Sequence, residues 1–184
     1  GGSAAPADVI EPPSSSDLPM RVLTAVGLIL LTGASLLSPF GIGALIVVVL
    51  GIAAGEMYAA LIRGGYRPLS LFGLLGIAGA FFGTWAAGPV AIPIALLLTG
   101  IAVFLFYATV PGRRAALTNA TLTLLVAAWI GGFGGLAFDF LGSDDYYWLV
   151  IALVVTVAVM DIAQYFIGRR FGKRPLAPVV SPKK

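Results

Sequence analysis

Residues 40–62 read FGIGALIVVVLGIAAGEMYAALI, and Arg63-Gly64-Gly65 follow them. This stretch carries a single charged residue, Glu56. A helix needs about 20 apolar residues to cross a hydrocarbon core about 30 Å thick. The stretch therefore predicts a transmembrane helix that ends at the Arg-Gly-Gly segment.

Five further apolar stretches lie on either side of this one. They cover residues 21–37, 69–87, 90–110, 115–140 and 146–168. The 184-residue chain is 59% hydrophobic and 10% charged, with a mean hydropathy of +1.02, whereas soluble domains carry about 25% charged residues. We predict an all-α, polytopic membrane helix bundle of about six spans. The fifth span is expected to break or bend, since it is rich in glycine between residues 131 and 135.

The basic residues predict the orientation of the bundle. If the N-terminus lies in the cytoplasm, all 11 lysines and arginines fall in cytoplasmic segments, and none falls in an outer gap. Asp144 and Asp145 then lie outside. This is the distribution that the positive-inside rule describes. We therefore expect a cytoplasmic N-terminus, a cytoplasmic C-terminal tail and an even number of spans.

The composition excludes several kinds of chemistry. The chain has neither cysteine nor histidine, which rules out disulfides, Cys/His zinc sites, thiol nucleophiles and histidine bases within these residues. A site would rest on carboxylates, hydroxyls, basic side chains or an oxygen-bound hard metal. We expect no nucleic-acid binding, because the short basic tail lies against the bilayer and lacks interleaved aromatic residues.

Three acidic residues fall within the spans, where charged groups are costly and usually face a cavity or a partner. Asp139 lies near the outer end of its helix, and we expect it to reach the membrane interface. Glu56 leaves two alternatives open, a structural role such as pairing with an arginine and a direct functional role. Asp161 lies in the cytoplasmic half of the last span.

Asp161 belongs to a polar stripe. Asp161, Gln164, Tyr165 and Gly168 are spaced i, i+3, i+4 and i+7, so they share one face of a helix. One interpretation is an interhelical hydrogen-bond network. The other is a hydrophilic pocket open to the cytoplasm, in which Asp161 holds a divalent cation; an oxygen-only site suits Mg²⁺.

Small residues and a sequon are weaker signals. Gly51-x-x-x-Gly55 and Gly79-x-x-x-Gly83 let helices approach closely; we expect packing within the bundle, with a homodimer seam as the alternative.

Asn119-Ala120-Thr121 matches a glycosylation sequon. It falls near a cytoplasmic helix end, so we interpret the match as coincidence.

The C-terminal motifs bear a family resemblance. Residues 161–173, DIAQYFIGRRFGK, and residues 181–184, SPKK, resemble the bacterial phosphatidate cytidylyltransferases (CDP-diacylglycerol synthases). Members of that family read Asp-x-x-Ala-Tyr-x-x-Gly-Arg-x-x-Gly-Lys and then Ser-Pro-Lys-Lys-Thr-x-Glu-Gly. Glu56 ahead of Gly65-Tyr66-x-Pro68 is also similar to the family's N-terminal half. Gln164 departs from the pattern, where the family usually has alanine or glycine.

The resemblance implies transfer of a cytidylyl group from CTP to phosphatidic acid, giving CDP-diacylglycerol and pyrophosphate, at a bacterial inner membrane. It implies Mg²⁺ as cofactor, with a second cation left open, and inner-leaflet lipids as partners. The implied catalytic residues are Asp161, Lys183 and Lys184, with Asp161 as metal ligand. The implied substrate-binding residues are Glu56, Tyr165, Arg169, Lys173 and Ser181.

Composition and apolar stretches predict a disordered segment over 1–19, whose Gly1-Gly2-Ser3 is typical of an expression scar, a helix bundle over 20–168, and a basic cytoplasmic loop over 169–184. The resemblance implies that this loop is the start of a truncated catalytic half. The family's further acidic motifs are not in these residues, so we expect an inactive N-terminal part of a larger enzyme. A CTP-dependent polyprenol or lipid kinase and a non-enzymatic transporter or scaffold are the alternatives.

Overall fold

A computed structural model describes residues 18–109 and 115–172, apart from the side chains of Leu18, Arg21 and Ala25. The regular elements of this part are helical, as predicted. They are α1 (Leu18–Ser35), α2 (Pro39–Arg63), α3 (Ser70–Ala87), α4 (Ala91–Thr109), α5 (Ala116–Val126), a π-helical segment (Ala127–Gly132), α6 (Phe133–Phe140) and α7 (Tyr146–Phe171). The predicted segment 1–19 lies outside the described residues except for its last two positions.

Five helical stretches are long and apolar enough to cross a membrane. They are Pro39–Arg63, Ser70–Ala87, Ala91–Thr109, Ala116–Phe140 and Tyr146–Phe171, and they agree within a few residues with five of the six predicted spans. The remaining span, predicted at 21–37, corresponds to α1, whose apolar part Val22–Ser35 is shorter. The chain is therefore a multi-pass helical membrane protein, and its orientation stays a prediction from the basic residues.

The chain divides into two compact units, residues 1–45 and 46–184. In the first unit, the Ser38-Pro39 pair that ends the first predicted span begins α2. The Ser38 hydroxyl accepts a hydrogen bond from the backbone N–H of Phe40 at 3.2 Å, which is the usual role of a serine cap. Pro39 occupies the first helical position, where its missing N–H costs nothing.

The end of α2 in the second unit is formed by a glycine. Gly65 has a φ of +86°, a conformation that side chains other than glycine rarely adopt. The N–H of Gly65 bonds to the carbonyl of Ile62 at 3.0 Å, and that of Tyr66 to the carbonyl of Leu61 at 3.1 Å. This pair of bonds is a Schellman motif. It turns the chain sharply at the position where the Arg-Gly-Gly segment predicts a helix end.

Helix α3 occupies the centre of the second unit and packs against α4, α5, the π-helical segment and α6. Its glycines permit this packing. A Cβ atom on Gly83 would lie 2.9 Å from the Cβ of Ala91, and one on Gly79 would lie 3.5 Å from that of Ala95. The Gly79-x-x-x-Gly83 pair therefore packs within the bundle, as predicted.

The second small-residue pair behaves differently. Ideal Cβ atoms on Gly51 and Gly55 would meet nothing within 4 Å. This pair therefore makes no close helix contact within the part of the chain that the structure describes, and a homodimer seam stays an open alternative for it.

The glycine-rich part of the fifth span overlaps a π-helical segment. Residues 127–132 form this segment, which joins α5 to α6 without interruption, so the span does not break at its glycines and the expected bend stays a prediction. A Cβ on Gly131 would lie 3.3 Å from the Cα of Ile77, and one on Gly135 would lie 2.8 Å from the Cγ1 of Ile92. The glycines thus let the backbone of this span lie close against α3 and α4.

Helix α7 packs against the other described helices only near its N-terminal end. It contacts α6, and its Val150 is buried. From Ala152 to Gly172, every residue is exposed. Within the described residues, the second half of α7 therefore stands without a helical neighbour.

Candidate functional site

The polar stripe lies on α7, which is one uninterrupted helix from Tyr146 to Phe171. Asp161, Gln164 and Tyr165 occupy successive turns on one face. A nitrogen of the Arg169 guanidinium lies 3.5 Å from the Tyr165 hydroxyl, which is a long and weak hydrogen bond. About two turns of α7 therefore carry four polar groups: a carboxylate, an amide, a phenol and a guanidinium. Gly168, which has no side chain, lies among them.

All members of this stripe are exposed. Polar side chains on a bare helix face are unfavourable in hydrocarbon, and such residues normally face a water-filled cavity or another protein segment. None of the residues that the structure describes covers this face. The arrangement suits a site in which ligand oxygens, water or further protein segments complete the surroundings of Asp161.

Several predicted site residues lie outside the described residues. They are Lys173, Ser181, Lys183 and Lys184. Their proximity to the stripe and their roles stay predictions from the resemblance.

Glu56 is exposed on α2. It forms no ion pair or hydrogen bond with another residue of the described ranges. The structural alternative, pairing with an arginine, is therefore not seen there.

Asp139 lies at the opposite end of the second unit from the α2–α3 turn. It is exposed, one residue before the end of α6. It lines a hollow of about 360 Å³ between the ends of α3 and α6, together with Thr84, Trp85 and Gly142. That its carboxylate reaches the membrane interface stays a prediction.

A buried hydrogen-bond network near the α2–α3 turn was not predicted. The amide oxygen of Asn119 accepts a bond from the backbone N–H of Arg67, and the hydroxyl of Thr123 accepts one from the N–H of Leu69, both at 2.8 Å. The Thr123 hydroxyl also donates to the Asn119 carbonyl at 2.8 Å. The hydroxyl of Tyr58 donates to the Thr123 carbonyl at 2.8 Å. Two α5 side chains thus hold the segment that carries Arg67.

The signal for this network was present in the sequence. Asn119 and Thr123 are spaced four apart in an apolar span, so they lie on one helix face. Both are buried, at 7% and 0% exposure. Asn119 therefore serves as a buried hydrogen-bond acceptor.

A comparison with protein families bears on the identity of the whole bundle. The model of the cytidylyltransferase family matches residues 19–184, which is nearly the entire chain. The chain belongs to the cytidylyltransferase family.

Curated relatives of this cytidylyltransferase-family chain match over a shorter segment. A phosphatidate cytidylyltransferase of Mycobacterium leprae is 35% identical over 68 residues, which make up 37% of this chain and 22% of the relative. One of Chlamydia trachomatis is 38% identical over 64 residues, 33% of this chain and 21% of the relative. The matched segment thus spans about a fifth of these relatives. No solved structure matches the chain.

The acidic side chains of this family member show which metal ion it could bind. Among the described residues, no three acidic side chains come together as a metal cluster. Asp161 is exposed and can supply one carboxylate. Mg²⁺ is commonly held by one or two carboxylates, with waters and substrate phosphates as its other ligands. Asp161 therefore fits as a single ligand of such an ion.

Proposed function

We propose that this chain is part of a phosphatidate cytidylyltransferase, which transfers a cytidylyl group from CTP to phosphatidic acid. The observation that carries the proposal is the stripe from Asp161 to Arg169 on one face of α7, in a chain matched by the cytidylyltransferase family over residues 19–184. The similarity to phosphatidate cytidylyltransferases of Mycobacterium leprae and Chlamydia trachomatis supports the choice of phosphatidate as acceptor.

The proposed reaction is a nucleotidyl transfer. A phosphate oxygen of phosphatidate attacks the α-phosphorus of CTP and forms a new P–O–P bond. The bond between the α-phosphorus and the bridging oxygen to the β-phosphate breaks, and pyrophosphate leaves with that oxygen. The protein contributes mainly by positioning the two anionic substrates and by neutralising their charge.

The side chains of α7 would contribute in distinct ways. Arg169 carries a planar guanidinium, which binds phosphate oxygens in a forked geometry. The Tyr165 hydroxyl lies 3.5 Å from that guanidinium and would bind the same phosphate. Lys173, Ser181, Lys183 and Lys184 would bind further phosphate oxygens or shape the loop, and Glu56 would serve in substrate binding.

Mg²⁺ is the proposed cofactor, with Asp161 as one of its ligands; a second cation is left open. When bound, such an ion neutralises charge on the transferring phosphates. The exposure of the Asp161 carboxylate leaves room for the waters and phosphates that would complete the coordination.

The proposed location is a bacterial inner membrane, with the basic segments in the cytoplasm. The distribution of the 11 basic residues supports this orientation. It places the stripe end of α7 on the side where CTP is available and where inner-leaflet phosphatidate presents its phosphate.

The family match favours this reaction over the two alternatives. A CTP-dependent lipid kinase transfers the γ-phosphoryl group and releases CDP, whereas a cytidylyltransferase releases pyrophosphate. A transporter is expected to carry polar groups near the membrane midplane and broken helices on both sides of it. In this chain, the stripe lies at one end of an unbroken helix.

The experiment uses the full polypeptide that the gene encodes, purified in detergent with CTP, Mg²⁺ and phosphatidate. We expect CDP-diacylglycerol and pyrophosphate in equal amounts. Asp161→Asn is expected to lower turnover about 100-fold or more, while Asp139→Asn, the matched control at the other end of the bundle, keeps wild-type turnover. Release of CDP instead of pyrophosphate would identify a kinase, and full turnover by Asp161→Asn would refute the assigned site.

A further inference from the structure

An apolar groove opens along the second unit beside the α2–α3 turn. It has a volume of about 310 Å³ and lies between the end of α2 and the C-terminal half of α5. Its walls include Met57, Ala60 and Leu61 from α2, Tyr66 from the turn, and Leu122 and Leu125 from α5. The groove is therefore lined by two helices and offers almost no polar atoms to a ligand.

The surroundings decide what such a groove can hold. In a bilayer, lipid tails are as apolar as the lining, so there is little hydrophobic driving force for a peptide to enter. An acyl chain fills the space without leaving any backbone polar group unsatisfied, which an extended peptide cannot do. The groove alone would accept the tail of any lipid, so selectivity has to come from groups at its mouth.

Two arginines adjoin the lining of the groove in the sequence. Arg63 precedes the groove-lining Gly64, and Arg67 follows the groove-lining Tyr66. Both arginines are exposed. A guanidinium binds phosphate oxygens through two parallel N–H bonds, so each of these arginines suits the phosphate of an anionic lipid headgroup.

The backbone that carries Arg67 is held in place before any ligand arrives. Its N–H is bound by the buried side-chain oxygen of Asn119, and the N–H of Leu69 is bound by the hydroxyl of Thr123. The Schellman motif at Gly65 fixes the other side of the turn. Binding therefore costs little ordering of the loop, which favours affinity.

We infer that this groove is a binding site for one anionic glycerophospholipid, with an acyl chain between α2 and α5 and the phosphate at Arg63 and Arg67. The site is separate from the polar stripe on α7. The inference rests on the proposed function only for the choice of phosphatidate as the probe, because any phosphate-bearing lipid of the inner leaflet would satisfy the same groups.

The test measures lipid retention by the 184-residue chain in native mass spectrometry, without CTP or Mg²⁺. Dioleoyl phosphatidate and dioleoyl phosphatidylcholine are the two probes. We expect the wild-type chain to retain phosphatidate in preference to phosphatidylcholine. Arg67→Gln should lower phosphatidate retention about fivefold, the change that corresponds to ~1 kcal/mol for one basic residue near an anionic surface. Arg170→Gln, which removes one exposed charge at the end of α7, is the matched control and should change retention little.

A second pair of variants tests the groove itself. Ala60→Phe fills the groove from α2 and should lower retention of both lipids, whereas Ala108→Phe, at an exposed position of α4 outside the lining, should leave it unchanged. Leu125→Trp tests the α5 wall if Ala60→Phe proves unstable. Size-exclusion profiles and circular dichroism report whether each variant is folded.

The outcomes separate this inference from the proposed function. Equal losses in Arg67→Gln and Arg170→Gln would overturn the headgroup assignment, since only total charge would then matter. Equal lipid retention by Ala60→Phe, Leu125→Trp and Ala108→Phe would refute the assignment of the acyl chain to the groove. Selective retention together with CDP release by the full polypeptide would support the lipid site and refute cytidylyl transfer, because retention is measured without nucleotide.

Discussion

Replacing Thr123 by valine removes one hydroxyl from the interior of the second unit and keeps the branched shape of the side chain. Thr123 is 0% exposed. Its hydroxyl accepts the N–H of Leu69 and donates to the Asn119 carbonyl, each at 2.8 Å. The Thr123 backbone carbonyl, to which the Tyr58 hydroxyl donates, is retained. The substitution therefore isolates the hydroxyl that binds the α2–α3 turn.

The expected cost follows from the two bonds. The Leu69 N–H loses its acceptor, and leaving such a donor unsatisfied away from water costs about 1–3 kcal/mol. The Asn119 carbonyl also loses the bond from that hydroxyl. This loss costs little, because Asn119 lies within α5, where its carbonyl can accept a backbone hydrogen bond of the helix. We expect Thr123→Val to lower the free energy of unfolding by about 1–3 kcal/mol.

The assay is a reversible SDS titration of the purified chain in mixed micelles, followed by far-UV circular dichroism. Thr156→Val is the matched control. The Thr156 hydroxyl donates to the Ala152 carbonyl at 2.7 Å on the exposed face of α7, so it makes the same bond within a helix but holds no second segment. Its loss should change the free energy of unfolding by less than about 0.5 kcal/mol.

The comparison of the two variants decides the outcome. Equal free energies of unfolding for Thr123→Val and Thr156→Val would refute the reasoning, because the bond to the turn would then contribute nothing. A loss confined to Thr123→Val, with Asn119→Ala giving a loss of similar size, would support a turn held from α5.

The remaining predictions concern packing, a second bond of the network and turnover. Gly83→Leu should destabilise the bundle by about 1–3 kcal/mol in the same titration, because its Cβ position lies 2.9 Å from the Ala91 Cβ; Gly51→Leu, whose Cβ meets nothing within 4 Å, should cost far less. Tyr58→Phe should cost about 0.5–1.5 kcal/mol through loss of its bond to Thr123, and an unchanged midpoint would contradict this. Residues 1–184 alone should release no pyrophosphate from CTP with phosphatidate and Mg²⁺, since the further acidic motifs that the family resemblance implies are not among these residues; measurable release would disprove it.

The helices were predictable because each depends on local properties of the chain. The predicted end at Arg63 coincides with the end of α2, since a glycine at residue 65 permits a left-handed conformation that stops the helix. The glycines of the fifth span predicted a break or a bend, whereas the structure has a continuous helical stretch with a π-helical segment at residues 127–132. The apolar part of α1, Val22–Ser35, is shorter than the span predicted at 21–37.

The candidate site was predictable only in part. The spacing of Asp161, Gln164 and Tyr165 was enough to place them on one face, because α7 is a regular helix. The exposure of that face over the second half of α7 could not be inferred, since burial depends on which helices pack together. The buried pair Asn119 and Thr123 was missed because its partners lie 52 and 54 positions away along the chain.

The sequence by itself determined the helices, their ends and the polar stripe, because bilayer thickness, helical periodicity and glycine backbone freedom act within one segment. Only the tertiary structure decided which small-residue pair packs and which stays open, and it alone revealed the groove between α2 and α5. A Cβ on Gly83 would touch Ala91, whereas one on Gly51 would meet nothing within 4 Å among the described residues, although both glycines belong to a Gly-x-x-x-Gly pair. Such differences arise from contacts between segments that are distant in the chain, and local spacing carries no record of them.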